Sequence, residues 1–217
     1  RDLTTFLTTQ KEKITEIADK VSQKKVRNIF WVGSGNSWCN LFPAKYLVDK
    51  YLSIPNEVST GYELIWKNPS SLNEDSVVFL SSYSGSTEDT LAALRFAKDK
   101  GAYTIAIVNK EESPMGKEAQ EVIPFHSSAL YILPMAATYI FIAELAKNNG
   151  SNNLDFIIKD LEKLPKILGR INQDEEERAL SIAQKHKYES IFYVLSSGIL
   201  YSLGYKYAYT VFMENMR

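Results

Sequence analysis

Residues Ser81-Ser82-Tyr83-Ser84-Gly85-Ser86-Thr87 pack five small hydroxyl side chains, a tyrosine and a glycine into seven positions. They follow the apolar run Val77-Val78-Phe79-Leu80 and precede an amphipathic stretch from Thr90 to Lys98. A loop of this type opens a helix at the carboxyl end of a strand. The free N–H groups and positive dipole end of such a helix attract an anion. Hydroxyls add donors without adding charge, and Gly85 permits close backbone approach. The chemistry suggested is capture of a phosphate ester. Local capping and turn formation account for one or two such hydroxyls but leave the others unexplained. A second small-residue loop, Gly33-Ser34-Gly35-Asn36-Ser37, follows the apolar run Asn28-Ile29-Phe30-Trp31-Val32. Taken alone, its glycines fit any strand-to-helix turn.

The elements that must hold these loops follow from periodicity. Leu3, Phe6, Leu7, Ile14, Ile17 and Val21 recur at helical spacing and predict an amphipathic helix over residues 3–23. Continuous apolar runs at 28–32, 76–81 and 103–108 have the pattern of strands buried on both faces. Shorter strands are expected at 57–59 and 122–125. Helices are expected at 38–51, near 62–66, and at 88–100, 113–120 and 130–147. Alternation of this kind predicts a doubly wound α/β fold, with a mostly parallel five-stranded sheet and its site at the strand carboxyl ends. Beyond the polar break at 148–153, an apolar stripe from Leu154 to Leu164 and the acidic-start segment Asp174 to Lys187 predict a helical hairpin. A new strand, Ser190 to Leu195, the loop Ser196-Ser197-Gly198 and a helix from Leu200 to Met216 then repeat the earlier pattern. The expected organisation is an N-terminal helix at 1–27, a first domain at 28–150, connecting helices at 151–187, and the beginning of a second, truncated domain at 188–217.

Composition narrows the function. With 217 residues, 45% hydrophobic, and a formal net charge of −1, the chain has no basic excess to neutralise a nucleic-acid backbone. Cys39 is the only cysteine, which excludes an intrachain disulfide and favours a reducing, cytoplasmic setting. The two histidines, His126 and His186, lie far apart in sequence, and no Cys/His spacing suggests a metal. The apolar run 136–146 is too short to cross a bilayer and contains Glu144, so no membrane partner is expected. Cys39 reads as a small buried residue rather than a nucleophile.

The two loops resemble a known family. Ser82-Tyr83-Ser84-Gly85-Ser86-Thr87 is similar to the S-x-S-G-x-T signature of SIS (sugar isomerase) domains, and Gly33-Ser34-Gly35-Asn36-Ser37 to their G-x-G-x-S loop. Phe42-Pro43-Ala44-Lys45-Tyr46, Lys67-Asn68-Pro69, Glu112-Ser113-Pro114 and Gly204-Tyr205-Lys206 leading to Met213-Glu214 look like the two-domain fructosamine 6-phosphate deglycases, relatives of the isomerase half of glucosamine-6-phosphate synthase. The resemblance implies that Ser82, Ser84 and Thr87 bind a 6-phosphate, with Gly85 and Ser86 offering backbone N–H groups and Tyr83 beside them. It implies that Gly35, Asn36 and Ser37 meet the sugar or its phosphate, and that Glu214 is the catalytic carboxylate. It further implies a homodimer, a phosphosugar or sugar–amino acid conjugate as ligand, and no metal or other cofactor. The family's acid histidine stands beyond Glu214, where this sequence has ended. Three functions stay open at this point: a deglycase, an aldose–ketose phosphosugar isomerase, and a non-catalytic phosphosugar sensor.

Overall fold

The computed structural model describes residues 1–151 and 153–214. Three apolar runs form the centre of a sheet: β1 (Asn28–Gly33), β3 (Ser76–Ser82) and β4 (Tyr103–Val108). They are buried almost throughout because helices cover both sheet faces, which is why they lack polar alternation. The shorter β2 (Asn56–Ser59) and β5 (Glu121–Pro124) close the edges. Among the described residues all pairings are parallel, in the order β2-β1-β3-β4-β5.

Side chains alternate across this sheet and fill two cores. Ile29, Trp31, Val77, Phe79, Ile105 and Ile107 face α1 (Asp2–Ser22), α2 (Asn36–Tyr51) and α6 (Ile132–Asn148). Trp31 and Phe79 stack with ring centroids 4.6 Å apart, and Phe141 of α6 meets Phe79 edge-on at 4.6 Å. Each such pair contributes roughly 0.5–1.5 kcal/mol beyond its buried area. Phe30, Val32, Val78, Leu80, Ala106 and Val108 face the other way, onto α3 (Gly61–Lys67), α4 (Glu88–Asp99) and α5 (Pro114–Glu118). A capping box starts α3: Glu63 N donates to Thr60 Oγ1, and Thr60 N donates to Glu63 Oε2 at 2.7 Å.

Strand order reverses between β1 and β3: β1 continues outward to β2, and β3 in the opposite direction to β4. In open parallel sheets a crevice opens at such a point, outside the strand carboxyl ends. Both hydroxyl-rich loops leave the sheet there.

The second part of the chain departs from the sequence expectation in three places. α7 (Asp155–Asp174) and α8 (Glu176–His186) are separated by Glu175 alone. A fold-back between helices takes about two to five residues, so the pair forms a bend rather than the predicted hairpin. Residues 190–195 form no strand: they run without sheet pairing, leaving Ile191, Tyr193 and Leu195 exposed. A strand needs a neighbour for its ladder, and none lies beside this run among the described residues. The helix expected from Leu200 to Met216 is, as far as Glu214, a 3₁₀ turn (Gly198–Leu200), a short α9 (Tyr201–Lys206) and a π-helical stretch (Tyr207–Glu214); its expected end at 215–216 lies outside the described residues.

Candidate functional site

A cavity of about 400 Å³ occupies the β1/β3 crevice, lined by Ser34, Asn36, Ser37, Ser81, Tyr83, Ser84, Thr87, Phe125, Leu130 and Pro134. No lining side chain is a carboxylate, ammonium or guanidinium. Attraction for an anion there rests on hydroxyls and helix dipoles. Two helices begin at its rim. α2 has Gly35 at its N-cap and no acidic residue in its first turn. α4 starts after Thr87, whose side chain makes no cap bond to the helix. Thr87 Oγ1 instead shares a hydrogen bond with Ser82 Oγ at 2.7 Å.

The S-x-S-G-x-T loop is braced by its own hydroxyls. Ser82 Oγ accepts from Gly85 N at 3.0 Å and lies 3.3 Å from Ser84 Oγ, besides its bond to Thr87. Ser86 N donates to Ser84 Oγ at 3.2 Å. Gly85 takes φ +62°, and an added Cβ would lie 2.5 Å from Ser113 Cβ and overlap its hydroxyl. Glycine is needed for both conformation and space. Its carbonyl accepts from Met115 N at 2.8 Å, fastening the loop to α5.

Two carboxylates in the first turn of α4 could oppose an anion, but both are engaged. Asp89 Oδ2 accepts a short hydrogen bond from Ser34 Oγ and another from Gly61 N at 3.2 Å. Its Oδ1 accepts from Thr90 Oγ1 at 3.0 Å. Glu88 accepts from Tyr62 Oη at 2.8 Å. Asp89 thus ties the first loop, the start of α3 and the second loop together.

The expected binding residues divide between cavity wall and scaffold. Asn36, Ser37, Tyr83, Ser84 and Thr87 line the cavity; Gly35, Ser82, Gly85 and Ser86 do not. The N–H groups of Gly85 and Ser86, expected to meet a ligand, are taken by the loop's hydroxyls. Glu214 is exposed at the end of the π-helical stretch and does not line the cavity. One turn earlier, Thr210 Oγ1 donates to Asn36 Oδ1 at 3.1 Å. The C-terminal run therefore touches the first loop.

Two lining residues, Ser34 and Ser81, were not singled out as ligand contacts by motif alone. Strict alternation along β3 was the available signal for Ser81, because it must face opposite to Ser82. Phe125 and Leu130 flank the β5–α6 connection, which carried no motif. That connection is organised by Asn109, whose Oδ1 accepts from Ser127 N at 2.8 Å and whose carbonyl accepts from His126 N at 2.9 Å. His126 holds φ +45° and pairs with Glu111 at 3.1 Å.

Lys206 of α9 packs against α2 and the end of the β5–α6 connection. Its Nζ donates to Asn40 Oδ1 at 3.2 Å and lies 3.3 Å from the centre of the Tyr131 ring. Burial pushes its ammonium down to about 8, against an opposing pull from Cys39. Burial pushes the Cys39 thiol up, and Lys206 draws it partly back.

The SIS domain profile matches residues 23–147, more than half of the sequence and the whole of this crevice. The chain belongs to the SIS domain family. It is 34% identical over 196 residues to fructosamine deglycase FrlB of Bacillus subtilis, an alignment covering 88% of this chain and 60% of that protein. It is 30% identical over 186 residues to the isomerizing glutamine–fructose-6-phosphate aminotransferase of Caldanaerobacter subterraneus, covering 81% of this chain and 30% of that one. A Bacillus subtilis crystal structure described as a phosphosugar isomerase superposes with a TM-score of 0.81 at 28% identity, covering 91% of this chain and 62% of the other. The chain thus spans about three-fifths of the length of the deglycase it matches. Among the described residues no helix is long and apolar enough to cross a membrane.

Proposed function

We propose that this SIS chain binds a phosphosugar in the β1/β3 crevice and belongs to a fructosamine 6-phosphate deglycase. The observation carrying this reading is an uncharged, hydroxyl-lined cavity between two helix N-termini at the topological switch point. A dianionic ester gains there from both dipoles and from Ser84 and Thr87 without a fixed positive charge. The similarity to a fructosamine deglycase supports the choice of substrate class.

In this reading the phosphate is an anchor remote from the reacting carbons, and its binding fixes the sugar for chemistry at C1 and C2. A base takes a proton from C1 of the fructosamine, giving an enolamine. Return of a proton to C2 gives an imine at C1. Water adds to C1, the C–N bond breaks with the nitrogen protonated, and glucose 6-phosphate and the free amine are released. Glu214 is the proposed proton carrier. Its position just past Thr210, which bonds Asn36, is compatible with approach to the open side of the cavity.

The binding test uses calorimetric titration of fructose 6-phosphate and of fructose. The phosphorylated sugar should bind and the free sugar should not. Ser84→Ala and Thr87→Ala should each weaken binding by about 1–3 kcal/mol, the range for hydrogen bonds to a charged group. Unchanged affinity in both variants would remove the site. Glucose 6-phosphate release from a fructosamine 6-phosphate, without isomerisation of fructose 6-phosphate, would separate deglycation from the isomerase alternative.

A further inference from the structure

The Ser81 hydroxyl is buried, with the residue only 1% exposed, and it has no hydrogen-bond partner among the described residues. A buried hydroxyl left unpaired costs on the order of 1–3 kcal/mol, so native proteins rarely leave one without a reason. Ser59 and Ser202 carry unpaired hydroxyls too, but Ser81 alone of the three lines the cavity. We propose that Ser81 is a specificity-determining residue whose hydroxyl bonds the carbohydrate portion of the bound phosphosugar, a role distinct from phosphate binding.

The sheet geometry separates these roles. Ser81 pairs in register with Gly33 of β1 and Ile107 of β4. It shares the face of Val77 and Phe79, towards α2 and α6. Ser82 points to the opposite face, where its oxygen is consumed by Gly85 N, Ser84 and Thr87. The α4 N-terminus and the Ser84–Thr87 turn therefore mark the phosphate end of the cavity. Ser81 marks its floor, alongside Ser37 and the apolar walls of Phe125, Leu130 and Pro134. An apolar wall with a few isolated hydroxyls matches a polyol chain, which has C–H faces between its oxygens. Gly33, its strand neighbour, has no side chain to offer Ser81 a partner, so the ligand completes the bonding.

This inference rests on the phosphosugar reading, and two probes keep the two apart. Fructose 6-phosphate and inorganic phosphate are titrated into the wild-type chain, Ser81→Ala and Ser81→Cys. One lost neutral hydrogen bond corresponds to about a tenfold loss of affinity. The expected result is that loss for fructose 6-phosphate in both variants, unchanged affinity for inorganic phosphate, and an unchanged or raised melting temperature. Equal fructose 6-phosphate affinity in Ser81→Ala and wild type overturns the role of Ser81 and leaves the phosphosugar site standing. Parallel loss of both ligands moves Ser81 to the phosphate end and overturns it as well. A lowered melting temperature with unchanged affinity makes the hydroxyl structural. Wild type that binds neither probe overturns both readings at once. The cysteine variant still fills the site, with a slightly larger γ atom and a weaker donor, so a folding failure of the alanine form does not decide the outcome.

Discussion

Gly85→Ala is the sharpest test of how the hydroxyl loop is built. At φ +62° an alanine pays roughly 1–2 kcal/mol in left-handed backbone strain. Its Cβ would also overlap the Ser113 hydroxyl, which caps α5 by accepting from Gly116 N at 3.3 Å. Rotating Ser113 away gives up that cap, about 1 kcal/mol more. The expected destabilisation is about 2–3 kcal/mol, or about 5–10 °C in Tm for a chain of this size. Urea and thermal unfolding followed by circular dichroism measure it. Ser113→Gly removes the obstructing atoms, and glycine at an N-cap costs only a few tenths of a kcal/mol. The double variant should therefore recover about 1 kcal/mol relative to additivity, leaving the backbone strain. A Tm for Gly85→Ala within a degree of wild type, or no coupling with Ser113→Gly, would refute the proposed geometry.

Asp89→Ala strands Ser34 Oγ and Gly61 N, and should cost about 2–3 kcal/mol in urea unfolding; Asp89→Asn, which keeps one acceptor, should cost roughly half. Lys206 provides a pH signature. Its ammonium is held down to about 8 when folded against an unfolded value of 10.5, so between these limits the unfolded chain binds a proton that the folded chain lacks. Stability should rise with pH through that window and show no slope from this group below it. The Tyr131 ring and Asn40 favour the charged form, but burial outweighs them. Lys206→Met should flatten the rise between pH 8 and 9.5 in urea titrations; identical slopes would contradict the burial argument.

Much of the SIS domain was legible because its signals are local. Uninterrupted apolar runs announce β1, β3 and β4, since a parallel sheet covered on both faces needs no polar side. The glycine-bearing loops announce the strand-to-helix turns. Boundaries slipped where capping decides: α2 begins at Asn36 rather than Trp38, because Gly35 already turns the chain. Strand alternation, a local signal, places Ser81 in the cavity while Ser82 braces the loop. Two features were not local. The β5–α6 wall, with Phe125 and Leu130, is brought to the site by topology alone. The apolar run 190–195 has the composition of a strand, but composition does not supply the neighbour that a ladder requires.

Trp38 lies in the first turn of α2, just past the first loop, and meets Tyr205 of α9 edge-on at 6.0 Å. The other two tryptophans sit at optical extremes: Trp31 is sealed in the core and Trp66 is 86% exposed. A shift in indole emission on adding a sugar phosphate would therefore originate mainly from Trp38. The molecule carries its own fluorescent gauge of whether events at its first turn reach the far end of the chain.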